Sequence, residues 1–186
     1  MGTLNADERP PGLDRAHALE PNYYFGDATF ELERQRVFAA SWQMVAHRAE
    51  LAEAGDHLLV NVAGTPVVLL RAADGVLRAF PNVCRHRAGP LVLCSGKGLG
   101  NLRCKYHGWL YNQAGQLVAA PEMQDAQDFR VADVRLPQLR VREWQGLVFV
   151  ALADDVPDFD CVYAGITERI APVALSAMHF VRRDSW

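Results

Sequence analysis

The chain has 186 residues, of which half are hydrophobic and 22% are charged, and its formal net charge is −3. These values are typical of a single globular domain with a core large enough to fold unaided, and they exclude a collagen-like chain and argue against nucleic-acid binding. No apolar run approaches the roughly 20 residues that span a membrane, and the amino terminus lacks the apolar core of a signal peptide. We therefore expect a cytoplasmic protein that binds neither membrane nor nucleic acid.

The amino-terminal part predicts a disordered arm followed by one helix. Residues 1–20 are rich in Pro, Gly and Asp and show no periodicity, as in a poorly ordered terminus. Asp27 is then a suitable N-cap for an amphipathic helix over residues 28–40, with apolar side chains at Phe30, Val37 and Phe38.

After this helix the sequence pattern changes to one that predicts short strands. Gly-containing turns at residues 63–65 and 73–75 separate apolar runs, which is typical of hairpins. Gln145-Gly146 predicts a closing hairpin in the same way. The predicted strands are residues 42–47, 57–62, 66–71, 76–80, a short strand from 101, 139–144 and 147–152.

A second amphipathic helix is predicted near the end of the chain. Apolar residues between Phe159 and Val173 recur at spacings of three and four, which indicates one buried helical face.

Two short runs between the strands carry the chemistry. Cys84-Arg85-His86 and Cys104-Lys105-Tyr106-His107 each supply one thiolate and one imidazole, with seventeen residues between them. Iron–sulfur sites are usually held by four thiolates, and the Rieske 2Fe-2S centres are those in which two histidines replace two cysteines on one iron. We expect Cys84, His86, Cys104 and His107 to bind one such cluster from two facing loops.

Neutral imidazoles make this kind of site easier to reduce than an all-thiolate site. Two ferric ions, two sulfides and two thiolates sum to zero charge, so one electron gives a site of charge minus one. The potential of the class accordingly rises to roughly −150 to +300 mV. The motif therefore predicts a module that carries single electrons.

Two other interpretations of the cysteines remain open. A zinc site uses the same ligand types, but its usual order places like ligands together, as in Cys-x-x-Cys followed by His-x-x-x-His. A disulfide between Cys84 and Cys104 is the second, although four cysteines without a secretory leader are more typical of a reducing compartment. We expect Cys94 and Cys161 to be small buried hydrophobic residues.

A basic stretch surrounds the two runs. From Gly75 to Pro121 there is no Asp or Glu, and such a field can steer an acidic redox partner. Trp109 and Tyr111 are expected to pack beneath the second loop as core aromatics without a direct redox role. The six cations of the stretch are Arg78, Arg85, Arg87, Lys97, Arg103 and Lys105.

The runs Cys-Arg-His-Arg-Ala-Gly-Pro-Leu at 84–91 and Cys-Lys-Tyr-His-Gly-Trp-Leu-Tyr at 104–111 resemble the Rieske domain of the α subunit of Rieske non-haem iron oxygenases. They are also similar to the choline, betaine and carnitine monooxygenase branch. Respiratory Rieske proteins carry an extra cysteine in each loop, at positions that correspond here to Gly89 and Tyr106. The resemblance implies a mainly β fold, an antiparallel Rieske-type sheet domain with flanking amino- and carboxyl-terminal helices. It also implies that a third loop, at Pro121, covers the cluster.

The resemblance divides the chain into the arm at 1–20, a Rieske 2Fe-2S domain at 21–155, and a segment at 156–186 that is expected to contain a carboxyl-terminal helix and the start of a catalytic domain missing from this sequence. In the family that domain holds a mononuclear iron with two histidines and one carboxylate. The four remaining histidines are spread singly, so we do not expect them to bind iron; they are His17, His47, His57 and His179.

Two functions follow from the resemblance. The first is the electron-entry domain of an oxygenase that hydroxylates a small organic substrate with O2 and electrons from NAD(P)H, without substrate turnover by this chain alone. Its partners would be a ferredoxin or flavin reductase as donor, and the catalytic domain of the same or a neighbouring subunit as acceptor, in a possible homotrimer. The alternative is a stand-alone Rieske ferredoxin. The predicted terminal helices, which a minimal ferredoxin does not need, favour the first.

Overall fold

The computed structural model describes residues 17–184, which form three small antiparallel sheets flanked by helices. The predicted arm at 1–20 lies outside the described residues except for 17–20, which form neither helix nor strand. No helix in the described part combines the length and apolar character needed to cross a bilayer. The helices are α1 (Asn22–Phe25), α2 (Asp27–Glu33), which continues as a π-helical turn (Arg34–Phe38), and α3 (Phe159–Ile170).

Each sheet has three strands, and every strand pair is antiparallel. The first sheet has the order β1-β9-β8, the second β2-β3-β4 and the third β5-β6-β7. The mainly β, antiparallel architecture with flanking helices is therefore confirmed. The strands are β1 (Gln43–His47), β2 (His57–Val62), β3 (Thr65–Arg71), β4 (Leu77–Pro81), β5 (Leu102–Arg103), β6 (Leu110–Tyr111), β7 (Leu117–Ala119), β8 (Arg140–Trp144) and β9 (Leu147–Ala151).

Two of the predicted hairpins close through two-residue turns. Ala63-Gly64 joins β2 to β3 with φ angles of 48° and 81°, and Gln145-Gly146 joins β8 to β9 with 51° and 85°. Positive φ at both central residues is the type I′ geometry, whose twist matches that of the strands.

The central strand β3 is buried on both faces and divides the interior into two cores. Val68 and Leu70 face the loop-side core, which also contains Cys84 and Cys104. Val67 and Leu69 face the opposite core with residues of β1 and β9. The cysteines of both ligand loops therefore pack on the same side of the second sheet.

The first predicted helix differs in detail from the prediction. Asp27 is its first residue rather than its cap, because Gly26, which has no side chain to accept a capping hydrogen bond, occupies the N-cap position. The helix ends as a π turn at Phe38. Its apolar side chains are largely exposed, since Phe30 is 60% and Val37 54% accessible.

The second predicted helix is confirmed, but only part of its apolar face is buried. α3 begins at Phe159, capped by the Asp158 side chain, and gives way to a 3-10 turn (Ala171–Val173). Phe159 is buried, whereas Val162 and Ile166 are about half exposed. Periodicity alone therefore overstated the buried face of this helix.

Candidate metal centre

The first ligand loop is a tight turn built around Cys84. The Cys84 amide donates to the Gly89 carbonyl at 2.8 Å, and the Ala88 amide donates to the Cys84 carbonyl at 3.1 Å. Ala88 has a φ of 56°, which closes the turn in the left-handed region.

The second loop repeats this design around Cys104. The Cys104 amide donates to the Trp109 carbonyl at 2.9 Å, and the Gly108 amide donates to the Cys104 carbonyl at 3.0 Å. Gly108 has a φ of 74°, which glycine adopts without the strain that a side chain brings. The two cysteines thus occupy equivalent positions in two turns of the same backbone pattern.

The structure brings the four predicted ligands into one region. Cys84 and Cys104 are buried in the loop-side core, and both are free thiols. His86 and His107 are partly buried and lie edge to face, with ring centroids 4.6 Å apart at an angle of 71°. The two loops therefore face each other as the sequence predicts.

His86 carries an unpaired ring nitrogen. Its Nδ1 atom is buried and has no hydrogen-bond partner among the described residues. Burial, and after it the charges of His107 and Arg87, hold the pKa of His86 below its usual value. A lowered pKa favours the neutral imidazole, which is the form that binds metals.

Gly89 leaves space beside the second cysteine. A Cβ atom at Gly89 would lie 2.9 Å from Sγ of Cys104 and 3.1 Å from Cβ of Tyr106. Only glycine fits where the two loops approach each other, and the donor set of two thiols and two imidazoles fits a 2Fe-2S cluster.

Tyr111 is a site residue whose role the sequence did not reveal. Its burial was predicted correctly, but its hydroxyl also lies 3.3 Å from Sγ of Cys84 and accepts the Arg85 amide at 3.2 Å. The sequence offered only a general indication of this role, because a tyrosine that is expected to be buried needs a hydrogen-bond partner for its hydroxyl.

Asn82 fastens the base of the first loop and was also missed. Its Oδ1 atom accepts the amides of Leu91 and Val92 at 2.9 Å each, and its Nδ2 atom donates to the Val92 carbonyl at 2.9 Å. A polar residue directly after the largely apolar strand β4 was the only sequence signal.

The segment after β7 covers the indole of Trp109. Phe129 lies 5.5 Å from Trp109 between ring centroids, and Met123 packs against the same core. Pro121 lies at the start of this segment, and its Cγ atom is 3.4 Å from where Gly108 would carry a Cβ.

The prediction for the other two cysteines is wrong, because both Cys94 and Cys161 are exposed. Residues 91–94 form an irregular loop in which Leu91 and Val92 turn inward while Leu93 is 63% accessible. Cys161 lies in α3 beyond the single buried residue of that helix, Phe159. In both cases the cysteine has apolar neighbours in the sequence but is not buried in the structure.

The remaining histidines have local roles or none. His47 caps a 3-10 turn (Arg48–Leu51) by accepting the Ala49 amide, and His57 Nδ1 lies 3.1 Å from the Gly55 carbonyl. His17 and His179 are exposed. Within residues 17–184, no three His, Cys, Asp or Glu side chains are gathered closely enough to hold a single metal ion.

Comparison with known proteins identifies a family for this region. The family described as Rieske [2Fe-2S] domain matches residues 41–139. The carnitine monooxygenase oxygenase subunit of Acinetobacter baumannii is 34% identical over 157 residues, which cover 84% of this chain and 42% of that protein. The biphenyl 2,3-dioxygenase subunit alpha of Rhodococcus jostii is 34% identical over 148 residues, covering 79% and 32%.

A solved structure shows the same fold. A quaternary ammonium Rieske monooxygenase, whose structure is described as giving insights into carnitine oxidation by gut microbiota and inter-subunit electron transfer, superposes with a TM-score of 0.75. It is 34% identical, and the match covers 81% of this chain and 41% of that one. The chain thus spans less than half the length of the curated relatives it matches. Because the family model matches more than half of its residues, the chain belongs to the Rieske [2Fe-2S] domain family.

Proposed function

We propose that this chain transfers single electrons through a 2Fe-2S cluster bound by Cys84, His86, Cys104 and His107. It would act as the electron-entry domain of an oxygenase that hydroxylates a small organic substrate with O2 and electrons from NAD(P)H. The observation that carries the proposal is the pair of equivalent turns. Each turn supplies one buried thiol and one imidazole, and the imidazoles of the two turns lie side by side.

The bound cluster would supply one-electron redox chemistry, and the chain would supply its binding and surroundings. The two buried thiols would bind as thiolates, which a reducing compartment such as the cytoplasm preserves. The neutral His86 ring needs to release no proton before it binds a metal. Tyr111 and the loop amides would orient Cys84, and the loop-side core would keep water away from the sulfurs.

The relatives favour an oxygenase component over a stand-alone ferredoxin, because those named above are oxygenase subunits. They are more than twice as long as the matched region. We propose that the corresponding catalytic part carries a mononuclear iron and accepts the electron, as the resemblance implies, so that the present chain alone has no substrate turnover. A related structure is described in terms of inter-subunit electron transfer, which supports an acceptor on a neighbouring subunit. The homotrimer in which we propose this transfer takes place is what the resemblance implies.

The electron donor would be an acidic redox protein, either a ferredoxin or a flavin reductase. Five cations on and between the ligand loops are exposed, and none forms an ion pair with another described residue. Unpaired surface charge of one sign accelerates the encounter with a partner of the opposite sign. These cations are Arg85, Arg87, Lys97, Arg103 and Lys105.

Metal and sulfide analysis of the purified chain tests the proposal. We expect two irons and two acid-labile sulfides per chain, a red-brown colour, and a reduced-state EPR signal. Zinc without iron or sulfide would contradict it and would support the zinc interpretation instead.

Single substitutions then test the ligand assignment. Cys104→Ala should abolish cluster binding, and Cys94→Ala is the matched control because Cys94 is an exposed thiol in the same region. Equal iron content in both variants would show that Cys104 is not a ligand.

A further inference from the structure

Two buried side-chain nitrogens among the described residues lack a hydrogen-bond partner, and they belong to His86 and Trp109. Buried polar groups in folded proteins are almost always paired, because leaving one unpaired is costly. The two atoms have different chemistry: Nδ1 of a neutral imidazole can offer a lone pair, whereas Nε1 of an indole can only donate its hydrogen. One bound group that contains both a metal and an acceptor would satisfy both nitrogens.

The two rings form one stack. The centroids of His86 and Trp109 are 4.8 Å apart, and the ring planes differ by only 7°. Phe129 packs near the same indole with centroids 5.5 Å apart, so that Trp109 is only 4% accessible.

The backbone holds Trp109 to the second ligand loop. Its carbonyl accepts the Cys104 amide at 2.9 Å, which ties the position of the indole to that of a predicted cluster ligand. The donor is therefore immobilised beside the ligand loops, in a place that water does not reach.

We propose that Trp109 binds the cluster directly, by donating its indole N–H to a sulfur of the 2Fe-2S group. This inference rests on the proposed function, in which His86 binds iron. Cluster sulfides and cysteine thiolates carry negative charge, and hydrogen bonds to charged acceptors are stronger than those between neutral groups. The hydrogen bond is strongest in the reduced state, which is the more negative one, so it raises the midpoint potential.

Trp109→Phe tests the hydrogen bond while keeping an aromatic ring against His86. We expect iron and sulfide contents equal to those of the unmodified chain and a midpoint potential shifted to lower values. If the indole serves only as packing, the loaded variant will show an unchanged midpoint, and that result overturns the inference.

Trp144→Phe is the matched control. The Trp144 Nε1 atom donates to Thr167 at 3.3 Å, and its ring packs with Phe149 and Phe159 rather than with the ligand loops. Its loss should leave the midpoint unchanged. An equal shift in both variants would contradict a specific role for Trp109.

A measurement on the unmodified chain covers the case in which Trp109→Phe fails to fold. The chain is produced with tryptophan labelled with 15N at the indole nitrogen, and its reduced cluster is studied by pulsed EPR. We expect a hyperfine coupling to one indole 15N that persists in Trp144→Phe. A loaded cluster without this coupling overturns the inference alone, whereas a chain without iron and sulfide overturns the proposed function and the inference together.

Discussion

The hydroxyl of Tyr111 lies 3.3 Å from Sγ of Cys84, and both side chains are buried. The same oxygen accepts the Arg85 amide, so its own hydrogen is free to point at the sulfur. Burial, and after it the hydrogen bond with Cys84, raise the pKa of the Tyr111 hydroxyl. Tyr111 is therefore a protonated donor at any ordinary pH, fixed to a cysteine that we propose as a ligand.

Tyr111→Phe should lower the midpoint potential of the loaded chain. The Tyr111 hydrogen bond stabilises the reduced cluster, which is the more negative state, and the variant lacks this hydrogen bond. A difference of about 1–2 kcal/mol between the two redox states corresponds to about 40–90 mV for one electron. Protein-film voltammetry measures the shift. Tyr163→Phe, in the aromatic group around Phe159, should leave the potential unchanged, and a similar shift there would contradict the assignment.

Sequence patterns predicted strands well where an alternating run is followed directly by a recognisable turn. Residues 57–62 alternate and are followed by Ala63-Gly64, and β2 has those bounds because the type I′ turn fixes the register of the hairpin. The two-residue strand β6 and the three-residue strand β7 were not predicted as strands. They are too short to show a period, although their pairing is local: Leu102 pairs with Tyr111, and Tyr111 with Leu117.

The candidate site was predicted as a set of ligands but not as a hydrogen-bonded structure. Cys84 and His86 are visible because their spacing repeats a known ligand pattern. Asn82 and Tyr111 are not, since their partners Val92 and Cys84 lie 10 and 27 residues away. The prediction that Cys94 is buried was wrong for a related reason. Tertiary contacts decide which side chains of an irregular loop point inward, and the hydrophobicity of neighbouring residues does not indicate this direction.

Asn82→Ala should destabilise the chain by about 2–4 kcal/mol, because it leaves two buried amides and one carbonyl without their partner. Denaturant unfolding followed by tryptophan fluorescence measures the change. Asn61→Ala removes one exposed hydrogen bond, to the Gly64 amide, and should cost less than about 1 kcal/mol. Equal losses in the two variants would show that Asn82 does not fasten the first loop.

Gly89→Ala should reduce cluster binding strongly, because the added methyl group would lie 2.9 Å from Sγ of Cys104. The loops would have to separate to accept it, which would move the ligand pairs apart. Iron and sulfide per chain give the readout. Gly100→Ala is the control, since a Cβ there meets no atom within 4 Å, and full loading of Gly89→Ala would refute the packing argument.

The Asp74 side chain should make stability depend on acid pH. Two hydrogen bonds from Arg78, at 2.8 and 2.7 Å, lower the pKa of Asp74 from 3.8 to about 2, and the Val76 amide adds to the effect. A carboxyl whose pKa is lower in the folded state stabilises that state above the unfolded pKa, and this contribution disappears as the pH falls through the folded pKa. The loss should therefore fall between about pH 4 and pH 2.

Asp74→Asn should flatten this part of the stability profile. Unfolding midpoints of the variant and of the unmodified chain are compared at pH 6, 4, 3 and 2, with the two curves converging at the acid end. High salt should weaken the difference, because the pair is exposed and screened. Parallel curves over the whole range would show that the Arg78 pair does not contribute.

Reversal of charge beside the ligand loops should slow electron delivery from an acidic donor. Arg87 and Lys105 are exposed neighbours of His86 and Cys104, and we expect Arg87→Glu with Lys105→Glu to lower the rate of reduction by a reduced acidic ferredoxin on the order of tenfold at low salt. Stopped-flow absorbance measures the rate, and the difference should shrink as salt screens the field. Arg36→Glu with Arg48→Glu changes the net charge equally at exposed positions outside the ligand loops. If that control slows reduction as much, the rate depends on total charge, and the basic surface around the loops is not where the donor binds.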